Sequence, residues 1–233
     1  MVCRLAKGQP VKFISHLDWM RAIARALRRA RLPVAYSAGY NPHPRLAYGP
    51  PLSVGNTSET ELVAATLTEA VDPGTFQERL AAALPPGIRV LAAWPAPLLG
   101  GKVTFGELDT VVYLVTVWGP VDQEALNTKV SQIMEAEQLP YRRLRVGKVK
   151  EFDARPLVRL VQVVEASESS AVLKLTLRLG PSGTLRPEEM LDLLGLAATC
   201  HAQVHRTALY TAKTPTPGRP RPTRLLGGAR RRR

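Results

Sequence analysis

Residues 15–31 have the sequence SHLDWMRAIARALRRAR, and this stretch predicts one long helix. A helix places side chains three and four positions apart on one face, and apolar residues recur here at that spacing. The apolar positions are Leu17, Met20, Ile23, Ala24 and Leu27. Ser15 and Asp18 form a helix-start pattern, and Pro33 marks the end because proline disfavours a helical conformation in the residue before it. We therefore expect an amphipathic helix whose apolar stripe faces a core.

Patterns on both sides of this helix predict strands and one further helix. The segment Pro73–Leu84 begins with proline and is followed by Pro85-Pro86-Gly87, as expected for a helix with a sharp end. Residues 59–67 fit a strand or a helix equally well. The strand-like segments are Val2–Ala6, Val11–Ile14, the mostly extended stretch 46–54, and Ile88–Trp94. The first half of the chain thus approximates strand, helix, strands, helix, strand.

The same order of elements recurs after a Pro/Gly-rich stretch at residues 95–101, which is typical of a domain boundary. The expected strands are Thr110–Val117, Tyr141–Val146, Leu157–Val164, Ala171–Leu179 and Ala202–Tyr210, and the expected helices are Asp122–Gln138 and Pro187–Leu196. A helix joining strands twice in each half favours an α+β fold. We expect two tandem ferredoxin-like α/β sandwiches with antiparallel sheets, at residues 1–97 and 102–212.

The net charge of +13 is concentrated at two places in the chain. Residues 1–50 contain nine Lys or Arg and one acid, whereas residues 213–233 contain eight and no acid, so the remainder is slightly acidic. Localised positive charge favours docking of an anionic partner. Because residues 213–233 also contain repeated prolines, we predict a disordered basic tail there.

Other features of the composition narrow the class of protein. No run of about 18 apolar residues occurs, so we expect no membrane-spanning segment, and the first residues lack the apolar core of a signal peptide. Cys3 and Cys200 do not make a disulfide framework. We therefore expect a cytoplasmic protein.

Zinc ligation is the only metal chemistry that the spacing of residues suggests. Cys200, His201 and His205 lie close in sequence, but a second pair of ligands is missing and the segment also fits a strand. The sequence contains no phosphate-binding loop, no dinucleotide fingerprint and no radical-SAM cluster motif. We expect this chain to hold no metal and no cofactor of its own.

Four arginines of the predicted helix are candidates for binding nucleic acid: Arg21, Arg25, Arg28 and Arg29. Like charges four residues apart destabilise a helix slightly, and a phosphate bound by the guanidinium groups would relieve that repulsion. Phosphate contacts position a nucleic acid without reading its sequence. The alternative is a solvated face without a ligand.

The loop at residues 36–45, YSAGYNPHPR, carries the second set of candidates. Tyr36 and Tyr40 offer rings for stacking against bases, while Asn41, His43 and Arg45 add polar groups. Two prolines restrict the residues before them to extended shapes. The alternative is a rigid loop whose tyrosines belong to the core.

His16 is a candidate for proton transfer, because the positive end of a helix disfavours the charged form of a histidine there. A neutral imidazole could accept a proton from a 2′-hydroxyl group of RNA. The alternative, which the Ser15-x-x-Asp18 pattern favours, is that these residues simply start the helix.

Several motifs together resemble the bacterial radical-SAM-linked family, a domain of unknown function. They are Phe13-Ile-Ser-His-Leu-Asp18, Tyr36-Ser-x-Gly-Tyr-Asn-Pro-His-Pro-Arg45, Pro51-Leu-Ser-Val-Gly55, Ser58-x-x-Glu61 and Gly183-x-x-Arg-Pro-Glu188. The resemblance extends over nearly the whole chain up to the tail. Ala38 departs from it, since many relatives are expected to carry a longer polar residue there, and one ligand contact would then be missing.

The resemblance implies a partner and a class of function. Members are typically encoded beside, or fused behind, a B12-binding radical-SAM protein, often near ribosomal-protein and ribonuclease genes. The family is distantly similar to CRISPR repeat-processing endoribonucleases, which are tandem ferredoxin-like RNA binders. We therefore expect an RNA-binding accessory protein that acts with a radical-SAM partner in RNA modification or ribosome-related metabolism. The alternatives are a metal-independent endoribonuclease using His16, and an interaction module for the radical-SAM partner without RNA contact.

Overall fold

A computed structural model of the protein describes residues 1–96, 105–145, 147–180 and 183–211. These residues form two compact units, the first ending at Glu107 and the second beginning at Leu108. The predicted basic tail at residues 213–233 lies outside the described residues, as does most of the Pro/Gly-rich stretch. Both units combine helices and antiparallel sheets, so the prediction of an α+β protein is confirmed.

The first unit has the order strand, helix, two strands, helix, strand. Its elements are β1 (Val2–Lys7), α1 (His16–Arg29), β2 (Leu46–Tyr48), β3 (Thr57–Ala65), α2 (Pro73–Ala83) and β4 (Ile88–Trp94). The strands lie in the order β4-β1-β3-β2, and every neighbouring pair is antiparallel. The segment whose structure the sequence left open, residues 59–67, lies largely in the strand β3.

Side chains from α1, α2 and alternate positions of the sheet form the core of the first unit. The buried helix residues are Trp19, Ile23, Ala26 and Leu27 of α1 and Phe76 and Leu80 of α2, and they pack with Cys3, Leu5, Val63, Ala65 and Ile88 of the sheet. In a strand, successive side chains point to opposite faces, so one face of the sheet carries this whole apolar set.

The buried stripe of α1 differs from the predicted one. Leu17 was expected in the core, but 54% of its side chain is exposed, whereas Trp19 is buried. Residues 17 and 19 lie about 200° apart around a helix, so burying the tryptophan turns the leucine outward. An indole buries far more apolar surface than a leucine side chain, and this decides the rotation of α1.

The prediction of a strand at Val11–Ile14 is wrong. A short 3-10 helix, Gln9–Val11, ends at the first residue of this segment, and a turn follows it. Pro10 cannot donate to a strand ladder. In addition, the ammonium of the buried Lys7 donates hydrogen bonds to the carbonyl oxygens of Lys12 at 3.1 Å and Ile14 at 3.2 Å, which curls the chain towards the start of α1.

An arginine of α2 stabilises the end of α1. The backbone of Arg31 lies in the left-handed region with φ of +50°, and the chain leaves the helix there. The Nε atom of Arg79 donates to the carbonyl oxygen of Ala30 at 3.0 Å, and a second guanidinium nitrogen donates to the carbonyl oxygen of Arg31. These carbonyl groups have no partner within a helix, so the contact satisfies them and fixes the chain that leads to the loop at residues 36–45.

The second unit repeats this order with an insertion. Its elements are β5 (Thr110–Trp118), α3 (Gln123–Glu135), β6 (Pro140–Arg145), β7 (Lys148–Asp153), β8 (Val158–Ser167), β9 (Ser170–Arg178), α4 (Pro187–Leu193) and β10 (His201–Tyr210). The strands β10-β5-β9-β8 form its antiparallel sheet, while β6 and β7 pair only with each other. The sequence predicted β6 but not that β7 turns back to form a hairpin with it.

None of the helices in the described part of the chain has the length and apolar character needed to cross a membrane. Cys3 and Cys200 are both free thiols. Burial raises the pKa of Cys3 to about 12, so this thiol stays protonated inside the core of the first unit.

Candidate nucleic-acid interface

The start of α1 is fixed by a reciprocal contact between Ser15 and Asp18. The backbone N–H of Asp18 donates to the hydroxyl oxygen of Ser15 at 3.1 Å, and that hydroxyl donates to the carboxylate of Asp18 at 2.7 Å. The hydrogen bond from Ser15 holds the pKa of Asp18 below its usual value, and Arg21 contributes in the same direction. The helix-start interpretation of this motif is therefore confirmed.

His16 is the first residue of α1 and is half-buried. Its ring meets the ring of Tyr48 edge-on, with centroids 6.2 Å apart and an angle of 80° between the planes. The hydroxyl of Tyr48 donates to the carbonyl oxygen of Met20 at 3.1 Å, and burial raises the pKa of Tyr48 to about 12. Tyr48 thus packs against His16 but holds its own proton, so Tyr48 is not suited to exchange protons near neutral pH.

The exposed face of α1 is cationic. Arg21, Arg25 and Arg28 are exposed, and with Leu17 they lie within about 80° of one another around the helix axis. Arg21 forms an ion pair with Asp18 at 3.4 Å. Among the described residues, neither Arg25 nor Arg28 has a hydrogen-bond or ion-pair partner, so both guanidinium groups are available to an anion.

Arg29 differs from the other three arginines. One of its guanidinium nitrogens donates to the carbonyl oxygen of Ala83, the last residue of α2. This contact satisfies a carbonyl at the end of that helix and holds α1 against α2. The side chain therefore has a structural use, although it remains exposed.

The loop at residues 36–45 is a closed hairpin with an exposed tip. Ser37 donates its backbone N–H to the carbonyl oxygen of His43 at 2.8 Å, and the N–H of His43 donates to the hydroxyl of Ser37 at 2.9 Å. Below them, Tyr36 and Pro44 form an isolated antiparallel bridge. Gly39 has φ of +122° at the tip, a conformation that side chains other than that of glycine rarely permit.

The tyrosines of this loop do not belong to the core. Tyr40 is fully exposed and Tyr36 is 48% exposed. Asn41, His43 and Arg45 are exposed as well. The side chains of Tyr40, Asn41 and Arg45 form no hydrogen bond within the described ranges, which leaves the ring and the polar groups of the tip open to a ligand.

The loop and His16 lie at opposite ends of α1. The strands β1 and β2 are both antiparallel to β3, hence parallel to each other, and α1 returns between them in the opposite direction. Tyr48 reaches the beginning of α1, so Arg45, about 10 Å earlier along the strand, lies towards its end. Arg28 is about 18 Å from His16 along the helix axis. The base of the loop is thus on the side of the C-terminal end of α1, not on the side of His16.

Three exposed apolar side chains near the start of α1 were not recognised as candidates. Phe13 is 73% exposed, and Leu17 and Val54 are also exposed. Phe13 lies beside Gly55, whose N–H donates to the carbonyl oxygen of Lys12 at 2.9 Å. These residues belong to the motifs Phe13–Asp18 and Pro51–Gly55, and this was the only sequence signal that they could have a function. Apolar residues in such motifs are usually buried in a core, so the sequence did not indicate that they are exposed.

The zinc ligands that the spacing suggested lie along β10. His201 and His205 are opposite Trp118 and Leu114 of β5, on the same face of the sheet. Within residues 1–96, 105–145, 147–180 and 183–211, no three side chains of the metal-binding types gather into a site.

The Tyr48→Phe substitution tests the buried hydroxyl. Losing the hydrogen bond to Met20 should lower the free energy of unfolding at pH 7 by about 1 kcal/mol. The raised pKa means that the stabilisation by the protonated hydroxyl is complete below pH 10 and is lost as pH rises from 10 to about 12. The difference between wild type and variant, measured by urea denaturation, should therefore shrink over that interval. A difference independent of pH would contradict the assignment, and Tyr40→Phe, at an exposed position, is the control.

Solved structures with a similar backbone fold include a chain of an H/ACA ribonucleoprotein bound to a substrate RNA containing 2′-deoxyuridine. Its sequence is 13% identical to this chain, and the TM-score is 0.49. A chain of a Cbf5–Nop10–Gar1 complex matches at 13% identity and a TM-score of 0.48. Both matches cover 89% of this chain, which spans less than half of the matched chains, 46% and 48%. At such identities and TM-scores, this likeness gives no information about ligands.

Comparison by sequence gives a family. None of the curated proteins matches the chain. The model of a family described as "Uncharacterized protein conserved in bacteria (DUF2344)" matches residues 1–187, which is most of the chain and includes both the α1 motif and the loop at residues 36–45. The chain belongs to this DUF2344 family.

Proposed function

We propose that this protein binds RNA with the C-terminal half of α1 and the loop at residues 36–45. One observation carries the proposal: Arg25 and Arg28 are exposed and form no hydrogen bond or close ion pair among the described residues, on a helix that is followed in the chain by a loop with the fully exposed Tyr40. Guanidinium groups suit phosphates, and an exposed tyrosine ring suits an unstacked base. Together these groups would offer both parts of single-strand recognition.

Rigid support makes this surface suitable for a ligand. Arg79 fixes the backbone between α1 and the loop, and the Ser37–His43 hydrogen bonds close the loop at its base. A loop that is already ordered loses less conformational entropy when it binds. Asn41, His43 and Arg45 would then supply hydrogen bonds to base edges or phosphates, and Arg21 and Arg29 would add positive charge around them.

The architecture that we propose is two ferredoxin-like units, corresponding to the domains expected at residues 1–97 and 102–212. The strand orders β4-β1-β3-β2 and β10-β5-β9-β8 support it, because both place the first strand of the unit between its last and third strands. The resemblance to radical-SAM-linked proteins supports a B12-binding radical-SAM partner, and we propose that this protein meets that partner in the cytoplasm. In this proposal the partner performs the chemistry and this protein presents the RNA, in RNA modification or ribosome-related metabolism.

Charge reversal at Arg25 and Arg28 tests the phosphate contacts. Arg25→Glu with Arg28→Glu should weaken binding of a fluorescent single-stranded RNA of about 20 nucleotides at least tenfold, and should reduce the slope of log K against log salt by about 1.4. Fluorescence anisotropy at several salt concentrations measures both. Arg89→Glu with Lys129→Glu makes the same change of net charge at exposed sites elsewhere and should leave the affinity close to that of wild type. The proposal of RNA binding would be refuted if the wild type bound the RNA no more tightly than micromolar and if Arg25→Glu with Arg28→Glu did not change that affinity.

Substitution of Tyr40 separates base stacking from phosphate binding. Tyr40→Ala should weaken binding of the same RNA about 5- to 150-fold, since stacking of a base on an aromatic ring contributes about 1–3 kcal/mol. Tyr40→Phe keeps the ring and should retain most of the affinity. The melting temperature should not change in either variant because Tyr40 is fully exposed. Equal losses in both variants would point away from stacking.

The exposed apolar side chains at the start of α1 favour a second candidate function, docking of the radical-SAM partner. Phe13, Leu17 and Val54 are exposed at the opposite end of α1 from the loop. Single exposed apolar residues are ordinary, whereas a contiguous apolar patch marks an interaction site, and we propose that these three side chains form such a patch. This surface would serve with the RNA site, or alone if the protein is an interaction module.

Co-purification tests this surface. Phe13→Asp with Leu17→Asp should abolish recovery of a co-expressed B12-binding radical-SAM protein on the tagged chain, because the carboxylates would have to be desolvated in an apolar interface. Leu160→Asp with Val164→Asp, two exposed apolar positions of β8, is the matched control and should retain the partner. Undiminished recovery with the first pair would exclude these residues from the interface.

A further inference from the structure

The β6–β7 hairpin is an addition to the second unit and does not complete its sheet. The order β5, α3, β8, β9, α4, β10 already repeats the order of the first unit, and the hairpin is inserted between α3 and β8. Its two strands pair only with each other. An isolated two-stranded hairpin is at best marginally stable in water, so its base needs anchoring.

Side chains at the base of the hairpin provide that anchor. Arg143 binds the carboxylate of Glu189 with two nitrogens, at 2.5 and 2.7 Å, and the carbonyl oxygen of Thr184 at 2.8 Å. The guanidinium also lies 4.7 Å from the centroid of the Phe152 ring, which meets Tyr141 edge-on. Bidentate, partly buried pairs of this type are among the stronger polar contacts. The hairpin is thus held firmly on α4 and the segment before it.

The part of the hairpin beyond this anchor is exposed and contributes little to the core. Leu144 is 73% exposed, and Val149, opposite it in the register, is also exposed. Lys148 and Lys150 are exposed as well, and neither has an acidic partner in the described part of the chain. Because little apolar surface is buried here, stability of the unit does not explain why the strands continue past Arg143.

The pairing of the strands places positive residues opposite each other. Arg143 is opposite Lys150 and Arg145 is opposite Lys148. Lys148 and Lys150 are two positions apart in one strand, so their side chains lie on the same face. Of the two acids in β7, Asp153 accepts the backbone N–H groups of Leu139 and Arg155, and Glu151 faces Arg142 at 3.7 Å.

We infer that the β6–β7 hairpin is a second RNA-binding element, in which Lys148 and Lys150 bind phosphates of the strand. This inference rests on the proposed function and adds a separate contact to it. Phosphate binding is favoured because the exposed cations lie on one face of a β-ribbon, a shape that nucleic-acid-binding proteins use against the backbone and grooves of their ligand.

Charge reversal of the hairpin in the full chain tests the inference. Lys148→Glu with Lys150→Glu should weaken binding of the RNA of about 20 nucleotides roughly tenfold and lower the salt slope by about 1.4, as expected for two lost phosphate contacts. Lys148→Gln with Lys150→Gln should give a smaller loss in the same direction. The melting temperature should stay unchanged, since both side chains are exposed.

A matched control and the arginine variant separate the outcomes. Lys129→Glu with Lys174→Glu changes the net charge equally at exposed lysines of α3 and β9, and should bind RNA like the wild type. If the hairpin variant binds like the wild type while Arg25→Glu with Arg28→Glu does not, the hairpin inference is wrong and the proposed function stands. If the hairpin and control variants weaken binding equally, the effect is one of net charge and the inference is also wrong. If the wild type does not bind the RNA, both are wrong.

Discussion

The packing of Trp19, Ile23, Ala26 and Leu27 against the sheet fixes the rotation of α1, and the character of the surface follows from that rotation. These four residues occupy one side of the helix and are buried against β1, β3 and α2. The opposite side must then carry Leu17, Arg21, Arg25 and Arg28. A rotation that buried Leu17 would bring Arg21 and Arg28 towards the core, where unpaired charges are costly. Core packing and the cationic face are therefore two results of one constraint.

The order of elements could be predicted from the sequence because it depends on local patterns. Proline at the start of α2 and α4, and β-branched runs in β5, have direct local effects. The rotation of α1 was mispredicted because Leu17 and Trp19 are both apolar and only tertiary packing chooses between them. Likewise, the curl at residues 11–14 depends on the ammonium of Lys7, which is close in space but carries no local signal.

The candidate site could be predicted only as a set of residue types. The exposure of Tyr40 and the closed base of its loop follow from hydrogen bonds between Ser37 and His43 that no periodicity encodes. The Ser15–Asp18 motif and the loop both carry the family resemblance, but their shared membership gives no sign that they lie towards the two ends of α1. The pairing of β6 with β7 was not predicted, because the exposed residues of these strands are a mixture of charged and apolar types. That mixture is also typical of a single solvated strand.

The closed base of the 36–45 loop has a consequence for the energetics of recognition. Fixing the backbone of a residue costs roughly 1–2 kcal/mol of conformational entropy. Here the Ser37–His43 contacts and the prolines at positions 42 and 44 impose that restriction while the chain folds. Encounter with a ligand then resembles the docking of two preformed surfaces, and differences in affinity between ligands should appear in dissociation rates more than in association rates.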